Sequence, residues 1–182
     1  ALSAARLAGR GDKIAADQAA VDAMRHVLET VSMDGIVVIG EGEKDEAPML
    51  YNGEQIGDGQ PPAVDIAVDP LEGTTLAAKG QPNALAVIAL SPRGTMFDPG
   101  PCVYMEKLAG AEDIADLLDL DRPLDKTIEL VAERRGVGVG DIMVVSLDRD
   151  RHTAQHQEIR DAGARVRLID HGDVSAAMLA VS

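Results

Sequence analysis

Four carboxylates, Asp17, Glu41, Asp69 and Glu72, are the residues of this chain best suited to chemistry. Asp69 and Glu72 share a short stretch with Pro70, Gly73, Thr74 and Thr75, preceded by an alternating run that places Val64, Ile66 and Val68 on one face. Such alternation predicts a half-buried strand. Pro70 cannot donate to a ladder and restrains the residue before it, so the strand is expected to end at Asp69. A carboxylate at the end of a rigid strand is well placed to hold a hard cation, and a glycine followed by Thr offers N–H groups and a hydroxyl to an anion. Metal plus phosphate is the chemistry implied, against the plain alternative that Asp-Pro only ends a strand. Glu41 follows the apolar run 36–39, so neighbouring strands would bring it and Asp69 to one sheet end. Asp17 lies on an expected helix. Mg²⁺ and Mn²⁺ take oxygen ligands, and two such ions about 4 Å apart can clamp both oxygens of a phosphoryl displacement. For any single Asp or Glu the competing reading is a solvated surface residue.

A second signal is basic. Of 17 Lys and Arg, five are Arg149, Arg151, Arg160, Arg165 and Arg167. Arg149, Asp150, Arg151 and His152 follow an expected strand at the end where open α/β sheets bind ligands, and Arg forks match phosphate oxygens. Ligand contact and surface charge both remain open for Arg149 and Arg151, whereas Arg160, Arg165 and Arg167 are read as surface. Lys13, after Gly9, Arg10, Gly11 and Asp12, is a lesser candidate. His152, His156 and His171 lack a zinc-ligand spacing, and Cys102 has no evident catalytic partner. Gly136, Gly138 and Gly140 precede a strand instead of following one, which argues against a dinucleotide site.

The 182 residues carry a net charge of -14, so non-specific binding to nucleic acid is not expected. Apolar residues make up 46% but aromatics only 2%, so the core is to be built from Ala, Val, Leu, Ile and Met. The one cysteine leaves no internal disulfide. No apolar run approaches the roughly 20 residues of a membrane span and no signal peptide opens the chain. A cytoplasmic protein without membrane contact is expected, and the low aromatic content makes self-association plausible.

The elements that must position these groups follow from pattern. Asp12 is expected to cap a helix with Ala16, Ala20, Met24, Val27, Leu28 and Val31 on one face. A turn at Asp34 and Gly35 leads to the strand 36–39, then a loop with Glu41, Glu43, Asp45 and Glu46 before Pro48. A loop at 57–62 precedes the strand ending at Asp69. A strand at 84–90, a turn at 91–94 into 95–97, and a pairing segment at 102–105 complete an antiparallel or mixed sheet. Past Pro123 the pattern predicts a helix at 127–135, a strand at 142–147, a helix at 153–162 closed by Gly163, and a strand at 165–169. That is a βαβ unit, which places domains at 1–124 and 125–182. Asp173 is expected to cap a last helix. Two parallel strands are too few to stand alone, so the second domain is read as partial.

Five ordered segments closely resemble the class II fructose-1,6-bisphosphatase family, whose cyanobacterial-type members also act on sedoheptulose 1,7-bisphosphate. They are Gly9 to Lys13, Gly40 to Glu43 with Glu46 to Tyr51, Asp69 to Thr75, Tyr104 to Leu108, and Gly172 to Val174. The resemblance implies the α/β layered sandwich of lithium-sensitive sugar and inositol phosphatases, a mixed-sheet region followed by a partial parallel region. It implies Mg²⁺ or Mn²⁺ held by Asp17 and Glu41 and by Asp69 and Glu72. Glu72, Gly73 and Thr74 would contact the reacting phosphate, Thr74 orienting or activating the attacking water, with Lys13 in support. Tyr104, Arg149, Asp150, Arg151, His171, Gly172 and Asp173 would hold the sugar and its other phosphate.

Three departures bear on this. Asp150 stands where the family usually has Pro, His171 stands where it usually has Asp, and family members continue well beyond this length. The activity implied is hydrolysis of the 1-phosphate of fructose 1,6-bisphosphate. The alternatives are a phosphatase for sedoheptulose 1,7-bisphosphate or an inositol phosphate, and an inert relative that binds metal or sugar phosphate without turnover.

Overall fold

The computed structural model describes residues 1–41, 50–102 and 104–182. Glu43, Asp45, Glu46 and Pro48 of the expected acidic loop lie outside the described residues, as does Val103 of the expected 102–105 strand. By their contacts the residues fall into two units, Ala1–Val103 and Tyr104–Ser182.

In the first unit a short helix α1 (Leu2–Ala5) precedes α2 (Lys13–Leu28). Asp12 caps α2 as expected, its Oδ1 accepting the Ala15 N–H at 2.9 Å. Strands β1 (Asp34–Ile39), β2 (Gln55–Ile56), β3 (Ala63–Glu72) and β4 (Leu85–Pro92) form one sheet in the order β2-β1-β3-β4, with α3 (Thr74–Ala78) between β3 and β4. β1 and β3 are parallel and the other pairs antiparallel, so the sheet is mixed. Helix α2 covers one face, where Val21 packs with Val37, Ile66 and Val68. Toward its start the small Ala16 and Ala20 let Leu71 and Ala77 approach.

Several boundaries differ from the sequence reading, each for a local reason. Helix α2 stops at Leu28, so Val31 lies beyond it and is exposed, and Val27, though helical, faces outward instead of onto the buried face. Asp34 and Gly35 belong to β1, not to a turn, and Gly35 is needed there because a Cβ would meet Ile66 Cδ1 at 2.6 Å. β3 runs on through Pro70 to Glu72, because a register shift against β4 between Asp69 and Glu72 removes the need for a proline N–H. Residues 95–97 form no strand. The Gly94 and Met96 N–H groups instead donate to the buried Asp65 Oδ2, at 2.7 and 3.2 Å. β4 closes the sheet among the described residues, and no charged residue lies between Lys79 and Arg93.

The second unit contains α4 (Leu124–Arg135), β5 (Met143–Leu147), α5 (Thr153–Asp161), β6 (Arg165–Ile169) and α6 (Asp173–Ala180), with a 3-10 turn at Glu112–Leu117. β5 and β6 are parallel, giving the expected βαβ unit. Ile128, Ile159 and Ala164 form its core with Val144 and Val166. α4 begins before the expected residue 127 because the Leu124 and Asp125 N–H groups donate to Glu158 Oε1, at 2.9 and 3.3 Å. The cap of α6 is Gly172, at φ 92°, and Asp173 is its first helical residue. The protein is thus mixed α/β, and no described helix is long and apolar enough to cross a membrane.

Candidate functional site

Because β1 and β3 are parallel neighbours, they deliver their carboxyl ends to the same sheet edge. There, Glu41, Asp69, Glu72, Gly73 and Thr74 line one cleft of about 490 Å³ together with Asp17 from α2. All four carboxylates singled out from sequence are therefore brought together with the Gly-Thr turn.

Local bonding explains their placement. The segment after Leu50 runs back along the end of β1. Glu41 donates its N–H to the Leu50 carbonyl at 2.9 Å, Gly40 its N–H to Asn52 Oδ1 at 2.8 Å, and Val37 its N–H to the Glu54 carbonyl at 2.9 Å. Gly40 is held so tightly that a Cβ there would lie 2.1 Å from the Leu50 carbonyl oxygen. Past the bend at Pro70, Asp69 Oδ1 accepts the Leu71 N–H at 3.1 Å. Gly73 then adopts φ 79°, a left-handed conformation that lets the chain turn from β3 into α3 and brings Thr74 to the cleft.

The electrostatics are those of crowded anions. Burial, then the charges of Asp17 and Asp69, push the Glu41 carboxyl up to about 7 from its ordinary 4.5. Burial also raises Asp17. Among the described residues, no three His, Cys, Asp or Glu side chains form a group that could hold one ion as they stand. The donor set nevertheless fits a hard divalent cation in chemistry: it is all oxygen, and a cation would offset the burial and neighbouring charges that raise the Glu41 carboxyl.

A pH dependence follows. Between pH 4.5 and 7 the folded chain retains a proton on Glu41 that the unfolded chain has released. The associated stability is complete below 4.5 and is lost as pH rises through about 7. Glu41→Gln, which cannot ionise, is expected to be more stable than the parent without metal at pH 8, with the gap closing toward pH 4.5. Urea midpoints across that range check it, and equal midpoints at pH 8 would refute the raised Glu41 carboxyl.

The remaining candidates are placed differently. Lys13 opens α2, is exposed and is not among the residues lining the cleft. In the second unit the Arg151 guanidinium lies over the exposed Tyr104 ring, 4.7 Å from its centroid, and Lys107 Nζ stands 3.9 Å from Asp173 Oδ2. Arg149 directs its guanidinium to main-chain carbonyls, Asp148 at 2.8 Å and Asp170 at 2.6 Å, joining the ends of β5 and β6. Asp150 is exposed, His171 half-buried and Gly172 buried. Sequence reasoning missed Gly40, Asn52 and Leu50, which fix the Glu41 backbone. The only local signal was the Asn52-Gly53 turn pair.

A family model described as bacterial fructose-1,6-bisphosphatase, glpX-encoded, matches residues 1–182. The chain is 46% identical over 190 residues to a D-fructose 1,6-bisphosphatase class 2/sedoheptulose 1,7-bisphosphatase of Thermosynechococcus vestitus, a match covering 98% of this chain and 54% of that protein. A protein of the same name from Synechococcus sp. strain JA-3-3Ab is 46% identical over 192 residues, covering 99% of this chain and 55% of the relative. The chain thus spans about half the length of the curated relatives it matches.

Proposed function

Since the chain belongs to the glpX-encoded family of bacterial fructose-1,6-bisphosphatases, we propose that it carries the metal and phosphate half of a sugar-bisphosphate phosphatase. The reaction is hydrolysis of the 1-phosphate of fructose 1,6-bisphosphate. The observation that supports this best is the cleft in which Asp17, Glu41, Asp69 and Glu72 meet Gly73 and Thr74.

Asp17, Glu41, Asp69 and Glu72 would hold Mg²⁺ or Mn²⁺, which when bound supplies charge neutralisation at the phosphoryl group and a lower pKa for water. The Thr74 hydroxyl orients the attacking water, and the Gly73 turn brings backbone close to the phosphate without a side chain in the way. Water adds to phosphorus in line as the bond to the sugar oxygen breaks, and the sugar leaves as an alcohol after taking up a proton. Lys13 supports the phosphate side. Tyr104, Arg149, Asp150, Arg151, His171, Gly172 and Asp173 would hold the sugar and its distal phosphate. The fold assigned with this reading is the lithium-sensitive phosphatase sandwich, its metal and phosphate domain at 1–124 and a partial substrate domain from 125. A cytoplasmic, self-associating enzyme is part of the same proposal.

Sedoheptulose 1,7-bisphosphate is a second substrate to weigh, because the relatives from both cyanobacterial genera carry it in their names. Phosphate release from both esters, with and without Mn²⁺, tests the proposal on this chain and on one of the relatives' full length. Mn²⁺-dependent release is expected from the longer protein. Release that survives complete chelation would overturn the assignment, and Mn²⁺ binding without release by either protein would favour an inert binding role.

A further inference from the structure

Two charged side chains outside the cleft bear on its geometry. Glu54 is 5% exposed, and its carboxylate accepts from Arg25 Nη1 at 2.9 Å through Oε1 and from the Tyr51 N–H at 3.2 Å through Oε2. Arg25 lies on α2, two helical turns past Asp17, and its Nε also reaches Glu29 at 3.3 Å. Glu54 ends the strap that returns along β1. Its carbonyl takes the Val37 N–H, and the strap's other end takes the Glu41 N–H on the Leu50 carbonyl. The Arg25–Glu54 pair therefore joins the helix that carries Asp17 to the strap that holds Glu41.

We infer that Arg25 and Glu54 are positioning residues that set the separation of Asp17 and Glu41 for cation binding. The inference rests on the metal-binding reading of the cleft. The apolar contacts between α2 and the sheet, Val21 against Val37, Ile66 and Val68, are non-directional and permit α2 to slide or rotate slightly. A charge-assisted hydrogen bond to a nearly buried carboxylate fixes orientation as well as distance. Glu54 is itself fixed by Tyr51, so movement of α2 would be felt along the strap at Glu41.

The test is Mn²⁺ affinity, measured by electron paramagnetic resonance on the 182-residue chain and its variants below their melting temperatures. Glu54→Gln keeps the shape and the Tyr51 contact but loses the charge, and Arg25→Gln removes the partner. If the pair acts by position, both substitutions weaken Mn²⁺ binding, by roughly tenfold or more as for other groups that orient metal ligands. The double variant then loses little beyond either single one. If only the long-range field matters, the signs oppose: Arg25→Gln tightens binding and Glu54→Gln weakens it. If the pair merely stabilises the fold, melting temperatures drop while affinities stay unchanged. Either of those last two patterns overturns the inference while leaving the metal site standing. A parent chain that binds no Mn²⁺ would remove the site itself, and the inference with it. Should Arg25→Gln fail to fold, Glu54→Gln against Glu54→Asp decides. A positional role requires that the shortened carboxylate, with its charge retained, also weaken binding.

Discussion

Thr74→Ala is expected to lower the proposed phosphate release, in a protein of the relatives' length, about a hundredfold or more while Mn²⁺ affinity stays nearly unchanged. The loss is of the size seen when one donor aimed at a reacting centre is removed. Thr74 lines the cleft from the first residue of α3, and its hydroxyl is the proposed guide for the attacking water. Asp69→Asn should behave differently. Asp69 is the last residue of the regular β3–β4 pairing and lines the same cleft, so replacing it removes a negative charge from the proposed cation site. Both Mn²⁺ affinity and turnover should then fall, each by at least tenfold. Steady-state phosphate release and Mn²⁺ titration on each variant separate the two roles. Thr74→Ala with full turnover would take that hydroxyl out of the mechanism.

Gly40→Ala is expected to be among the most damaging single-methyl additions in the first unit. The new Cβ would stand 2.1 Å from the Leu50 carbonyl oxygen and 2.7 Å from Val37 Cγ1. Neither neighbour can withdraw easily. Leu50 is fully buried at φ 57° and Val37 is 1% exposed in the same core cluster. Gly40 is not held at a positive φ, so the lower freedom of an unfolded alanine chain would by itself predict a gain, and the clash reverses the sign. A cost of about 3 kcal/mol or more is expected, as for severe overpacking, with a visible loss of Mn²⁺ binding as Glu41 shifts. Gly140→Ala is the control, since its Cβ would find nothing nearer than 3.7 Å. It should change stability by no more than about 0.5 kcal/mol. Urea midpoints of both variants suffice, and a Gly40→Ala chain as stable as the parent would disprove the tightness of the strap.

The cleft was legible in sequence because its carboxylates follow apolar strands, and strand alternation is a local signal that Val64, Ile66 and Val68 carry plainly. The helix cap at Asp12 and the βαβ unit around Gly163 were legible for the same reason. What escaped depends on partners far along the chain. Residues 95–97 read as a strand by composition, but the Met96 amide, like that of Gly94, answers to Asp65, some thirty residues earlier, and the Thr95 amide to the Pro92 carbonyl. α4 starts early because Glu158 supplies the cap from another helix. Pro70 looked like a stop, yet pairing slips by a step around it and resumes at Glu72. The contacts of Arg149 escaped as well, since its guanidinium reaches the Asp148 and Asp170 carbonyls, the second of them on a residue twenty-one positions away. The strap from Leu50 to Glu54 has no periodicity of its own, and its Asn52-Gly53 pair marks a turn without announcing that the segment would hold Glu41.

The uncharged margin of β4 has a colloidal consequence. Among the described residues no further strand pairs with β4, and its exposed Ile88 and Leu90 come without the lysines that usually keep such borders apart. At neutral pH the dispersing force has to come from the rest of the surface, through the overall charge of -14. Acidification toward the isoelectric point near 4.5 cancels that repulsion and leaves the β4 margin unaltered. Turbidity in acid would then come from folded molecules adhering side by side, before any of them opens.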